Sequence, residues 1–133
     1  MHMIVCIDER DGLSFCGRRL SRDSVLNQHM LKMTEGHALW MNAYSAKMFS
    51  GTDICEDELY LKKAAMGEYC FLENATLPET NENLESVILY HWNRTYPSTV
   101  KFPRELLEGM QLVHTEEFAG SSHEMITMER YTR

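Results

Sequence analysis

The sequence predicts one α/β domain, a single mixed β-sheet with helices packed on it. Three observations lead there. A chain of 133 residues has room for one hydrophobic core and not for two. Short apolar runs of strand length, at Met3–Ile7, Tyr69–Leu72 and Val87–Tyr90, alternate with segments of helical character. Near the end, two partly alternating segments flank a small polar turn, the pattern of an antiparallel pair. Strands interleaved with helices and closed by a hairpin give a mixed sheet covered by helices, spanning residues 1–133 as one unit.

In chain order, Met3–Ile7 is a short buried strand, and Asp8–Leu20 is a turn-rich loop punctuated by Gly12 and Gly17. Ser21 is a suitable N-cap for an amphipathic helix over Arg22–Met33, in which Val25, Leu26, His29, Met30 and Met33 recur at helical spacing. Gly36 stops it. His37–Met41 is the second strand and Asn42–Phe49 a helical turn or short helix. Asp57–Ala65 is a helix, with acidic residues at its start and Lys62 and Lys63 at its end. Glu68–Glu73 is a buried strand, Asn74–Asn83 a polar loop carrying Pro78, and Glu85–Trp92 the clearest strand of all. Gln111–Phe118 and His123–Tyr131 form the closing pair around Ala119–Ser122.

Composition removes several function classes. A net charge of −7 is the wrong sign for a nucleic-acid binder, which needs Lys and Arg for phosphates. No stretch approaches the ~20 apolar residues of a membrane span, and the four apolar residues Ile4–Ile7 are too few for a signal core. The expected location is cytoplasmic. There Cys6, Cys16, Cys55 and Cys70 are free thiols, with Cys6 and Cys70 packed in the core. No Cys or His pattern has metal-ligand spacing, so no metal is expected.

Met3-Ile-Val-Cys-Ile7, the glycine-bearing loop, the helix Arg22–Met33 and Thr34-Glu-Gly-His-Ala-Leu-Trp-Met41 together resemble the opening half of dihydrofolate reductase. Leu84–Asn93, then Thr99-Val-Lys-Phe-Pro103, then Leu112–Phe118 with Met125–Arg130, resemble its closing half. The resemblance implies a dihydrofolate reductase-like fold, NADPH as cofactor and a pterin-like substrate. It also implies where those functions have been lost. Leu26 stands where the family has its catalytic carboxylate, and Asp23 lies one turn earlier. The family's arginine-bearing phosphate motif is replaced by Asn42-Ala-Tyr-Ser45. Its paired glycines are replaced by Glu73-Asn74, the next helix has shrunk to the loop 75–83, and its late-strand threonine falls at Tyr90. A pyrophosphate needs close backbone N–H groups and cations, so the cofactor-binding part reads as truncated and no cofactor is expected.

Arg18, Arg19 and Arg22, beside a helix start, are candidate anion ligands; in surface pairs with Asp8, Glu9, Asp11 and Asp23 they would be purely structural. Asn42, Tyr44 and Ser45 are candidate ligand contacts at the mouth of the cleft, or the polar start of a helix. Trp40, Tyr90 and Trp92 are core or pocket lining. Ser121, Ser122 and His123 sit in a turn with no third catalytic group in the sequence. Three functions stay open: a degenerate reductase-like protein binding a small anionic ligand or a protein partner, a divergent NAD(P)H-dependent reductase with Asp23 as proton donor, and a nucleic-acid binder using the three arginines. An exposed sheet edge, left by the missing central elements, predicts a homodimer.

Overall fold

The computed structural model describes residues 1–133. The central strand is β1 (His2–Ile7). Its alternate residues face opposite ways, yet Met3, Val5 and Ile7 on one face and Ile4 and Cys6 on the other are all buried. A strand covered on both faces must read as a continuous apolar run, which is why Met3–Ile7 shows no polar alternation. Two-residue hairpin geometry follows at once. β2 (Gly12–Phe15) turns through Cys16 and Gly17, at φ 48° and 78°, into β3 (Arg18–Arg19). Positive φ at both central residues matches the twist of the paired strands, so the segment expected as a loop is a small hairpin.

Helix α1 (Ser24–Met33) starts later than expected, because Asp23 and not Ser21 is the N-cap. The Asp23 carboxylate accepts from the Val25 and Leu26 N–H groups, and its extended backbone marks the entry point. Leu26 and Met30 of α1 bury against the sheet. β4 (Leu39–Met41), α2 (Ala43–Ala46) and β5 (Ile54–Glu56) follow. Helix α3 (Tyr60–Lys63) is shorter than the Asp57–Ala65 stretch expected. Asp57 accepts from Leu59 N–H through its side chain at 2.8 Å, a local turn that competes with a first helical turn. Then come β6 (Tyr69–Phe71), β7 (Ser86–His91), β8 (Val100–Lys101), a 3-10 turn (Arg104–Leu107), β9 (Gln111–Phe118) and β10 (Ile126–Thr132). Residues 74–85 form neither helix nor strand.

Seven strands make the main sheet in the order β5-β4-β6-β1-β7-β10-β9, and β3-β2-β8 form a small second sheet. β1 pairs in parallel with both β6 and β7, and β4 is parallel to β6, while β10 runs antiparallel to β7 and β9. One core lies on the α1 face, around Ile4, Leu26, Met30, Ile88 and Tyr90. The other lies beneath the 3-10 turn, around Val5, Val87, Leu89, Phe102 and Leu106. β5 and β8 escaped the sequence because segments of three and two residues carry no periodicity to detect. No helix is long and apolar enough to cross a membrane.

Ile88 is fully buried beside α1. Ile88→Ala should therefore cost about 3 kcal/mol, within the 2–5 kcal/mol typical of such truncations. Urea unfolding will show this as a lower midpoint at unchanged slope.

Candidate functional site

The parallel strands β1, β4, β6 and β7 all end on the same side of the sheet. Beyond their carboxyl ends lie the hairpin β2–β3, Asn42–Ser45, Glu73–Asn74 and Trp92–Tyr96. Open α/β sheets bind ligands in this position, since the loops diverge there on either side of a central strand.

Two hydrogen-bonded clusters occupy this end. The first is centred on Glu73, a buried residue just past β6. Arg19 grips it with both arms of the guanidinium, Nε to Oε2 at 2.9 Å and Nη2 to Oε1 at 3.1 Å. Ser45 Oγ donates to Oε1 at 2.7 Å. The guanidinium lies over the Tyr44 ring, 4.2 Å from its centre, and the Arg19 N–H donates to the Tyr44 hydroxyl at 3.1 Å. Asn42 caps α2 by accepting from Ser45 N–H and donates to Asn74, which in turn donates to the Gly17 carbonyl at 2.9 Å. The hairpin is thereby latched onto the ends of β4 and β6.

Arg19, Asn42, Tyr44 and Ser45, named from the sequence in two separate groups, thus come together around Glu73 and Asn74. Arg18 and Arg22 do not join them and are exposed. Adjacent strand residues point to opposite faces, so Arg19 turns in to Glu73 while Arg18 faces solvent, as does Arg22 beyond the strand. The carboxylates named as their structural partners have others: Asp8 accepts from the Arg10, Gly12 and Tyr96 N–H groups, and Asp11 pairs with Arg104. Beside the latch, a cavity of about 480 Å³ is lined by Phe15, Cys16, Arg18, Arg19, Leu20, Tyr96 and Pro97.

The second cluster is centred on Asp23, whose carboxylate is almost wholly buried. Besides capping α1, it accepts from the Ser121 and Ser122 N–H groups at 3.0 and 2.8 Å and from their hydroxyls. It also meets His123 Nδ1 at 2.9 Å. On the other side of the ring, His123 Nε2 is 3.1 Å from Ser21 Oγ and 3.0 Å from the Tyr96 hydroxyl, and Trp92 stacks on the imidazole at 4.7 Å. Gly120 is required here, because a Cβ would fall 2.5 Å from Asp23 Oδ2. Burial alone would raise the Asp23 pKa, but the bonds from Ser121, His123, Ser122 and Leu26 outweigh it and hold the carboxyl well below its usual range. A carboxyl held ionised has no proton to give at neutral pH, and this weighs against the donor role the reductase alternative assigns to Asp23.

Only half of this cluster was legible in the sequence. Ser121, Ser122 and His123 stood together, but their partner Asp23 is 100 residues away from His123. Ser21 was legible only as a helix cap, and Tyr96 carried no signal for this cluster. Leu26, at the position implied for a catalytic acid, is core. Tyr90 is also core, its hydroxyl bonded to His29 Nδ1 at 2.7 Å, and Trp92 is buried.

Folding lowers the Asp23 pKa beneath its ordinary 3.8. Its contribution to stability is therefore complete above that value and lost as pH falls through the lower folded value. Asp23→Asn should cost about 1–3 kcal/mol at neutral pH, and it should flatten the acid limb of the stability curve below 3.8. Urea unfolding of both proteins from neutral to strongly acid pH reads both effects.

No family model matches the chain, and a search of curated proteins finds no match. Among solved structures, dihydrofolate reductase from Enterococcus faecalis, complexed with NADP(H) and RAB-propyl, is similar to it with a TM-score of 0.68. The match covers 99% of this chain and 95% of that one at 9% sequence identity. The chain has a dihydrofolate reductase-like fold, far diverged in sequence.

Proposed function

We propose that this is a dihydrofolate reductase-like protein without standard reductase activity, binding a small anionic ligand at the carboxyl end of its sheet. One observation carries this reading: Arg19 and Glu73 fill the corner where the resemblance would seat a cofactor's phosphates. Each satisfies the other there, and Ser45 and Tyr44 hold the pair. A phosphate entering would have to separate a buried bidentate ion pair and leave the Glu73 carboxylate uncompensated, which costs several kcal/mol. The neighbouring cavity suits a different guest. Phe15, Leu20, Tyr96 and Pro97 give it apolar walls, and the exposed Arg18 guanidinium stands at its edge. A small molecule with an apolar body and one anionic group matches that lining.

Calorimetric titration should show no tight binding of NADPH or dihydrofolate, and mixing both with the protein should give no turnover. Tight NADPH binding accompanied by dihydrofolate reduction would overturn the reading in favour of a divergent reductase. The aromatic sulfonate 8-anilinonaphthalene-1-sulfonate should bind the folded protein, and Arg18→Ala should weaken it about tenfold, or 1.4 kcal/mol.

A homodimer fits the same architecture. β9 pairs with β10 on one side only, and Leu112 and Val113 on it are half exposed. An unpaired edge of eight residues is a template for a second copy. Light scattering should report twice the chain mass, and a monomer at high concentration would refute it.

A further inference from the structure

We propose that Ser21, His123 and Asp23 form a nucleophile site for acyl transfer, hydrolysing small carboxylic esters. The geometry is that of a serine activated by a buried, carboxylate-oriented imidazole. His123 Nδ1 lies 2.9 Å from Asp23 Oδ2, which places the ring proton on Nδ1 and leaves Nε2 as an acceptor. Ser21 Oγ–H then donates to Nε2 at 3.1 Å. Asp23 stays ionised and cannot take the proton itself, so it stabilises the imidazolium that forms when Ser21 gives up its proton. Trp92, stacked on the ring, fixes its plane and keeps water from that face.

The surroundings serve the same chemistry. Ser21 is partly exposed, while His123 and Asp23 are buried. Two cavities are lined by its chain neighbours Leu20 and Arg22. One of about 480 Å³ has Leu20 and Tyr96 in its walls, and one of about 460 Å³ has Arg22, Ser24 and Ser122. The apolar first cavity suits an acyl chain and the polar second an alcohol. The N–H groups of Ser21 and Arg22 donate to no acceptor within the protein, which leaves donors next to the nucleophile for a developing oxyanion. Tyr96 O–H also lies 3.0 Å from Nε2, so it shares the one lone pair of that nitrogen with Ser21 until substrate draws one of the two hydroxyls away.

The reaction balances without a further reagent than water. Ser21 Oγ bonds to the ester carbonyl carbon as its proton passes to His123 Nε2. The carbon–oxygen bond to the alcohol breaks, and His123 returns that proton to the leaving alkoxide. Water then adds to the acyl carbon, giving a proton to His123. The bond to Oγ breaks, the carboxylic acid leaves, and Ser21 recovers its hydrogen. The acyl chain would occupy the cavity assigned above to the anionic ligand, but labelling of Ser21 and dye binding at Arg18 are read separately, so each reading can fail without the other.

The test uses an alkyl fluorophosphonate, which a serine of this kind attacks at phosphorus with loss of fluoride, together with p-nitrophenyl acetate. Peptide mass spectrometry should find one adduct per chain, on Ser21, and urea-unfolded protein should not form it. His123→Gln should slow labelling by about 100-fold or more, and Ser21→Ala should remove hydrolysis of p-nitrophenyl acetate. Should His123→Gln fail to fold, Ser21→Ala, which alters a half-buried position, and the folded-against-unfolded comparison decide alone. No adduct, an adduct on Ser121 or Ser122, or undiminished hydrolysis by Ser21→Ala would overturn the proposal.

Discussion

A single buried carboxylate ties the two ends of this chain together. Asp23 caps the only long helix and, with the same two oxygens, gathers the N–H groups of Ser121 and Ser122 and the ring of His123. A buried charge is tolerated only when its hydrogen-bonding capacity is met, and here it is met from two segments far apart in sequence. The helix start and the turn between the last two strands must therefore form in register with each other. The close approach of Gly120 shows how little slack remains. Without the carboxylate, four backbone N–H groups at the joint between α1 and the turn would lose their acceptor.

The second constraint is the latch between Arg19 and Glu73. Strand alternation sends Arg19 inward and Arg18 outward, so one member of the pair is committed to structure and the other is free. The commitment has a functional consequence. Resemblance at the level of fold says where ligands bind in a reductase, but function resides in the site and not in the fold. Here the corner holds a salt bridge stacked on Tyr44, and the proposal that no dinucleotide sits there rests on that pair and not on the sheet topology. The cavity beside the latch is what the same loops leave open.

The two clusters lie on neighbouring stretches of one segment, with Arg19 in the first and Ser21 in the second. That segment follows the β2–β3 hairpin, whose turn depends on Cys16 and Gly17 at positive φ and on the Asn74 bond to the Gly17 carbonyl. The hairpin is thus held to the sheet by these polar contacts together with Leu13, which is buried in the core around Val5 and Leu89. Ser21 and Leu20 owe their positions to it.

Much of the fold was legible in the sequence for a plain reason: burial on both faces of β1, β6 and β7 demands unbroken apolar runs, and these are visible without any partner. The amphipathic period of α1 was visible in the same way, as was the closing hairpin. The exact helix start was not, because Ser21 and Asp23 are equally good caps locally, and only the contacts of Asp23 with Ser121 and Ser122 choose between them. At the site, Arg19, Asn42, Tyr44 and Ser45 could be named from residue type and place in the resemblance. Their pairing with Glu73 could not, since it depends on which face of a two-residue strand looks inward. The joining of Ser21, Tyr96 and His123 around Asp23 belonged wholly to the tertiary structure. Side chains at positions 21, 23, 96 and 123 have no local relation, and only the packing of α1 against the end of the sheet brings them within hydrogen-bond reach.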